Sequence, residues 1–195
     1  MTLPPLPPHL TDAVSDLMRV VSAEVILPRY RNLASHEVEE KAKDELVTIA
    51  DKESELRLAE GLGAILPEAR IIGEEACAAD PALLDQVGEG LVWIIDPIDG
   101  TGNFAAGRPP FGVMIALCDG GAIEAGWIYD PLRERLCHAQ RGQGATMDGA
   151  RLTATDQEPL PRRGHRPRGG GAGRGGRLAP RDGVGRRSVG LGRHV

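Results

Sequence analysis

An apolar run that ends in two closely spaced acids is the sequence feature that most limits how this chain can fold. Residues 91–95 read LVWII, and residues 96–101 follow at once as DPIDGT. A continuous apolar run of this length is typical of a strand buried on both faces. Pro97 fixes φ between Asp96 and Asp99, so their carboxylates can converge on one point instead of pointing to opposite faces of a sheet.

The residues that end this run predict a binding site for a metal-bridged phosphate ester. Two neighbouring carboxylates repel each other unless a cation is present, and hard divalent cations take oxygen ligands. Asp96 and Asp99 are therefore candidate metal ligands, and the carbonyl oxygen of Ile98 between them is a further candidate. Gly100 and Thr101 are expected to open a helical turn, where glycine permits close approach and backbone N–H groups bind phosphate.

The rest of the pattern predicts an α+β domain whose helices pack on a largely antiparallel sheet. Helices are expected over residues 11–25 and 51–66, the second with Leu56, Ala59, Leu62 and Leu66 on one face. Residues 35–44 are expected to form a solvated loop or helix end. Residues 73–75 (GEE) form a second acidic strand end, which taken alone is more typical of a solvated turn. Further strands are expected at residues 70–72, 111–118, 122–129 and 134–139.

Three ordered segments resemble the inositol monophosphatase family of lithium-sensitive, magnesium-dependent phosphatases. Residues 44–51 (DELVTIAD) are similar to the family's D-L-V-T-x-x-D, residues 72–75 to its I-G-E-E, and residues 93–104 to its W-I-D-P-I-D-G-T-x-N-F. Residues 136–149 resemble a further glycine-rich stretch of the family. The resemblance covers residues 44–155 and implies the N-terminal part of a layered αβαβα sugar-phosphatase fold.

The resemblance implies a set of metal ligands at the matching positions. Glu74, Asp96 and Asp99, with the backbone carbonyl of Ile98, would bind Mg2+. Glu75 would support these ligands or bind a further, weaker metal ion. The cofactor implied by the resemblance is therefore Mg2+.

The resemblance also implies catalytic and phosphate-binding residues. Asp51 and Thr101, together with Glu74, would hold and deprotonate the attacking water, while a helix N-cap is an equally good interpretation of Asp51. The backbone N–H groups of Gly100 and Thr101 would receive the phosphate. Lys43 could approach the phosphate, but it does not align with the family lysine and a solvated position is favoured.

The activity implied is magnesium-dependent hydrolysis of a small phosphate monoester by metal-activated water attacking in line. An inositol monophosphate or a similar polyol phosphate is the expected substrate. Histidinol phosphate and 3′,5′-bisphosphate nucleotides are the alternatives within the family. The resemblance further implies a homodimer.

Charge divides the chain into two unlike parts. Residues 1–160 hold 13 Lys and Arg against 27 Asp and Glu, whereas residues 161–195 hold 10 Arg, one acid and 11 Gly. The Gly/Arg-rich segment 161–195 cannot bury enough apolar surface to offset about 1–2 kcal/mol of backbone entropy per residue. We therefore expect a flexible Pro-rich lead-in at residues 1–10, an incomplete phosphatase-like domain at 11–158 and a Gly/Arg-rich disordered tail at 159–195.

The C-terminal W-D motif of the family has no counterpart here, so a truncation or a frameshift near residues 155–165 is expected, with impaired activity or a catalytically silent subunit. RGG units at 168–170 and 174–176 leave RNA binding as a minor alternative, against which stand the acidic body and a tail without aromatics. Three widely spaced cysteines, no apolar run of bilayer length and no signal-peptide features favour a cytoplasmic protein without membrane contact.

Overall fold

The computed structural model describes residues 6–42 and 45–154. The α-helices are Pro8–Val21 (α1), Ile49–Ile65 (α2), Glu74–Ala79 (α3) and Thr101–Ala105 (α4). The strands are Val38–Ala42 (β1), Glu45–Thr48 (β2), Arg70–Gly73 (β3), Leu91–Asp99 (β4), Gly112–Asp119 (β5), Ala122–Asp130 (β6), Arg135–Gln140 (β7), Gly144–Met147 (β8) and Ala150–Arg151 (β9). The expected tail at 159–195 lies outside the described residues.

A seven-stranded sheet forms the centre of the described part. Its strand order is β3-β4-β5-β6-β7-β8-β9, and β1 pairs with β2 in a separate antiparallel hairpin. β3 and β4 run parallel, whereas each later neighbouring pair is antiparallel. The predicted α+β class with a largely antiparallel sheet is confirmed.

One apolar core joins the sheet to α1 and α2. Trp93 on β4 and Trp127 on β6 are fully buried, with ring centroids 5.8 Å apart. Val14 and Met18 of α1 are also fully buried in the same core. Because a buried aromatic side chain removes about 150–250 Å2 from water, the tryptophan pair anchors β4 and so fixes the position of the acids that end it.

α1 begins three residues before the predicted start. Pro8 is its first residue, residue 11 lies inside its first turns, and no side chain caps it. Proline is accepted at this position because the first N–H groups of a helix have no helical partner. Residues 8–10 therefore belong to the helix and not to a flexible lead-in, while residues 1–5 lie outside the described part.

The interpretation of residues 35–44 as a loop or helix end is wrong over most of its length. Ser35–Glu37 forms a short 3-10 turn, and Val38–Ala42 forms β1, paired with β2. The sequence VEEKA has no alternation of apolar and polar residues, which is the pattern that reveals a half-buried strand. Residues 43 and 44 lie outside the described part.

α2 lies close to its predicted bounds, and of the predicted face Leu62 is fully buried and Ala59 and Leu66 pack against the core, but the placement of Leu56 is wrong. Leu56 is 68% exposed. The residues buried on α2 are Ala50, Asp51, Ser54, Glu55, Leu58 and Leu62. Apolar periodicity failed here because half of the buried face is polar and turns toward the acids at the ends of β3 and β4.

The opposite face of the sheet carries an open apolar groove of about 390 Å3. Ile94, Met114 and Ile128 line it, each next to a residue that enters the core. Ile128 is 52% exposed. Within residues 6–42 and 45–154, no helix is both long and apolar enough to span a bilayer.

Candidate active site

A β-bulge near the end of β4 places Asp96 and Asp99 on the same side of the strand. Asp96 is opposite Met114 on β5 and Asp99 is opposite Gly112, so β4 has one more residue than β5 over this interval. Trp93, Ile95 and Ile98 all enter the core, which shows the alternation shifting by one residue after Asp96. The bulge therefore puts both acids on one side of β4, while the convergence of their carboxylates stays a prediction.

Gly100 turns the chain from β4 into α4. Its φ of 85° lies in the left-handed region, and a Cβ there would lie 3.0 Å from the carbonyl oxygen of Pro110. Thr101 follows as the first residue of α4, which confirms the predicted helical turn. The Thr101 hydroxyl lies 2.9 Å from the carbonyl oxygen of Ile98 and 3.0 Å from Oδ1 of Asp51.

Asp51 connects α2 to this turn. It is fully buried, and its Oδ2 accepts hydrogen bonds from the backbone N–H of Thr48 at 2.8 Å and from the Thr48 hydroxyl at 2.5 Å. Burial raises the pKa of Asp51, while the hydrogen bonds from Thr48 and Thr101 oppose that rise. The N-cap of α2 is Thr48, so the interpretation of Asp51 as the N-cap is wrong, although it completes the capping box.

Glu74 and Glu75 follow β3, which runs parallel to β4 with Gly73 opposite Ile95. The C-terminal ends of parallel neighbours meet at one edge, so these acids lie beside those of β4. Lys41 Nζ lies 2.6 Å from Oε1 of Glu74 and 2.9 Å from Oε1 of Glu75. Burial opposes the charge of Lys41, but its hydrogen bonds to both glutamates raise its pKa above the usual range.

Lys41 was missed by the sequence interpretation, which considered Lys43 instead. Lys43 lies outside the described residues. Lys41 lies in a segment that was expected to be a solvated loop, so its sequence gave no sign of a role. The pairing of β1 with β2 places Lys41 beside the residues that follow β3.

The carboxyl group of Asp96 sits at the centre of the acidic cluster. Burial raises its pKa to about 7, together with the charge of Glu74, a hydrogen bond with Glu74 and the charges of Asp99 and Asp51. Oδ1 of Asp96 is buried and has no hydrogen-bond partner within the described part of the chain. A buried carboxylate oxygen without a donor, among three further acids, suits a divalent cation with oxygen ligands.

These acids do not stand in finished coordination geometry. Within the described ranges, no group of three or more His, Cys, Asp or Glu side chains is arranged so that it could hold a metal ion. Glu74 and Glu75 each form an ion pair with the Lys41 ammonium. The carboxylate oxygens suit a divalent cation by residue type, and Glu74 would have to leave Lys41 before it could bind one.

Glu55 is a second residue that the sequence interpretation missed. It is 9% exposed and lies on α2 four residues after Asp51, where helical spacing places both on one face. Its Oε2 accepts from the backbone N–H of Glu75 at 2.7 Å and its Oε1 from that of Ala76 at 2.9 Å. The spacing of Asp51 and Glu55 in a predicted helix was the available signal.

Comparisons with known proteins point to one family. Residues 8–165 match the model of the inositol monophosphatase family. The Nus factor SuhB of Salmonella typhimurium is 35% identical over 153 residues, which cover 78% of this chain and 55% of that protein. The Nus factor SuhB of Pasteurella multocida is 38% identical over 120 residues, 62% of this chain and 43% of that protein. The chain thus spans about half the length of the curated relatives it matches.

Solved structures show the same fold. The extragenic suppressor protein suhB of Bartonella henselae has a TM-score of 0.64 at 28% identity, covering 76% of this chain and 55% of that one. The IMPase of Thermotoga maritima has a TM-score of 0.65 at 26% identity, covering 76% and 54%. Since the family model matches residues 8–165, which are most of this chain, the chain belongs to the inositol monophosphatase family.

Proposed function

We propose that this chain carries the catalytic centre of a magnesium-dependent phosphomonoesterase acting on a small polyol phosphate such as an inositol monophosphate. The observation that carries the proposal is the unpartnered, buried Oδ1 of Asp96 among Glu74, Asp99 and Asp51. A buried polar atom without a partner costs stability, so its retention calls for a ligand. Membership of the inositol monophosphatase family supports the same conclusion.

Glu74, Asp96, Asp99 and the Ile98 carbonyl are the groups that would hold Mg2+. When bound, Mg2+ supplies polarisation of a phosphoryl oxygen and acidification of a coordinated water. The Ile98 carbonyl lies 2.9 Å from the Thr101 hydroxyl, and its lone pairs are available to a ligand when that hydroxyl donates its one proton to Asp51. Glu75 remains paired with Lys41 and balances its charge beside the site.

Asp51 and Thr101 would orient the attacking water and take its proton. The Thr101 hydroxyl is within hydrogen-bond distance of Asp51, so it can accept from a water while donating to the carboxylate. Burial makes Asp51 a stronger base than an exposed aspartate, because the raised pKa favours its protonated form. The backbone N–H groups of Gly100 and Thr101, at the turn into α4, would bind the phosphate oxygens.

The substrate proposed is a phosphate monoester on a sugar-like alcohol. SaIMPase-II, 26% identical to this chain with a TM-score of 0.60, has been solved with 2′AMP bound. That ligand carries its phosphate on a ring hydroxyl, as an inositol phosphate does. Histidinol phosphate and 3′,5′-bisphosphate nucleotides remain the alternatives for comparison.

A phosphate-release assay tests the proposal. The 195-residue chain is expected to release phosphate from inositol 1-phosphate with Mg2+ and not with EDTA, and Asp96→Asn and Asp99→Asn are expected to abolish release. Asp12→Asn on the surface of α1 is the matched control and is expected to retain activity. Histidinol phosphate and a 3′,5′-bisphosphate nucleotide serve as competing substrates. Folded protein that releases phosphate from none of these esters would refute the proposal.

The name of the curated relatives supports a second candidate. Both the Salmonella typhimurium and the Pasteurella multocida relatives are called Nus factor SuhB, so a role as a Nus factor is proposed as the alternative. A folded chain that binds a divalent cation but hydrolyses no ester would favour it over the phosphatase. RNA filter binding across a salt series separately tests the minor RNA-binding alternative, because electrostatic binding weakens with salt.

A further inference from the structure

We propose that Glu55 is a positioning residue that fixes the two acids following β3, Glu74 and Glu75. The inference rests on the proposed function, in which Glu74 holds a divalent cation. Both carboxylate oxygens of Glu55 are used, one by the backbone N–H of Glu75 at 2.7 Å and one by that of Ala76 at 2.9 Å. Two N–H groups bound by one carboxylate fix the orientation of the peptide planes that carry the acids.

α2 is the common frame for two separate parts of the site. Asp51 and Glu55 lie one turn apart on its buried face. Asp51 accepts a hydrogen bond from the hydroxyl of Thr101, which lies 50 positions later in the chain. Glu55 binds the first turn of α3, which lies about 20 positions later. A shift of Glu55 would therefore move Glu74 and Glu75 relative to the turn that follows β4.

Gly73 supplies independent geometric support. A Cβ at residue 73 would lie 2.2 Å from Cδ of Glu55 and 2.4 Å from each of its carboxylate oxygens. No side chain fits there without displacing the carboxylate. By contrast, a Cβ at Gly63 on α2 would meet its nearest neighbour, Cδ1 of Ile71, at an ordinary 3.5 Å. The absence of a side chain at Gly73 is what lets Glu55 reach the N–H groups of Glu75 and Ala76.

Manganese titration tests this role directly, because Mn2+ takes the same oxygen ligands as Mg2+. The electron paramagnetic resonance signal of free Mn2+ counts unbound ion without reference to turnover. Glu55→Gln and Gly73→Ala are expected to weaken Mn2+ binding by about 10- to 100-fold, as loss of a residue that supports metal ligands typically does. The matched controls, Glu60→Gln at an exposed position of α2 and Gly63→Ala, are expected to stay within about twofold of wild type.

A double variant distinguishes positioning from general destabilisation. Once Glu55→Ala has removed the carboxylate, Gly73→Ala has nothing to displace, so the combined loss of Mn2+ affinity is expected to match that of Glu55→Ala alone. Losses that add in full would contradict the proposal. If Glu55→Ala does not fold, Glu55→Gln and Gly73→Ala carry the test alone, checked for folding by circular dichroism.

Two further outcomes separate this inference from the proposed function. Folded Glu55→Gln with wild-type Mn2+ affinity, even with a lowered melting temperature, overturns the positioning role and leaves the phosphatase proposal standing. Wild-type chain that binds Mn2+ but releases no phosphate overturns the phosphatase proposal, while the affinities of the variants still decide the role of Glu55. Wild-type chain that binds no Mn2+ overturns both.

Discussion

Asp96→Asn is expected to stabilise the metal-free chain at pH 8 while abolishing its activity. The pKa of Asp96 rises from 3.8 to about 7 in the folded chain, chiefly through burial and the charge of Glu74. Between about pH 4 and 7 the folded chain therefore binds more protons than the unfolded chain, and stability falls as the pH rises through that window. Asparagine carries no charge, so the variant escapes this loss.

The size of the effect follows from the shift. A shift of about three pKa units corresponds to about 4 kcal/mol at most. Asp96 is only half-buried, so solvent screening reduces this limit, and we expect a gain of about 1–2 kcal/mol at pH 8. The gain should shrink to a small fraction near pH 4, because Asp96 is then protonated in the folded chain and about half-protonated in the unfolded chain. Urea unfolding in EDTA at both pH values, followed by circular dichroism, measures it.

Magnesium should reverse the order of stability. At 100 times its Kd, a ligand that binds only the folded state adds about 2.7 kcal/mol, and wild type should gain this while Asp96→Asn gains much less. Asp12→Asn is the control for loss of a surface charge and should follow wild type throughout. A variant that is no more stable than wild type at pH 8 in EDTA, or whose gain is independent of pH, would refute the reasoning.

Three further predictions concern the neighbouring groups. Thr101→Val should lower kcat by about 100-fold or more by cutting the contact to Asp51, while Thr101→Ser keeps most activity; equal losses in phosphate release would contradict this. Lys41→Met should destabilise the metal-free protein by about 2 kcal/mol in urea unfolding, because Glu74 and Glu75 lose the ammonium group that pairs with them. Stability should recover in Mg2+, because the metal ion then supplies positive charge to these carboxylates. Ile128→Ser, in the apolar groove, should reduce self-association in light scattering, whereas Leu56→Ser, at an exposed position that does not line the groove, should not.

Local pattern predicted the parts of the fold that depend on neighbours in sequence. The LVWII run is β4, its acids lie at the end of a buried strand, and Gly100 opens a helical turn as expected. The antiparallel strands β5 to β7 lie within a residue or two of their predicted bounds. These features follow from hydrophobic periodicity and turn chemistry, which are properties of short segments.

Other features failed as predictions because the local pattern was polar or absent. The hairpin of β1 carries no apolar alternation, and α2 buries Asp51 and Glu55 in place of Leu56. Sequence patterns predict that a charged residue is exposed to solvent. Burial of such a residue is stable only when hydrogen-bond or ion-pair partners from distant parts of the chain surround it. Glu55 is buried because two N–H groups of the segment after β3 bind it.

Residue types alone therefore reveal that this chain has paired acids at a strand end, a backbone turn beside them and the family to which such motifs belong. The mutual arrangement of Lys41, Asp51 and Glu74 depends on the packing of α2 and the β1–β2 hairpin against the edge formed by β3 and β4. Contacts between residues that are 30 to 50 positions apart arise only when the apolar core closes. No spacing along the chain encodes them, because burial of apolar surface, and not the polar groups themselves, brings the elements together.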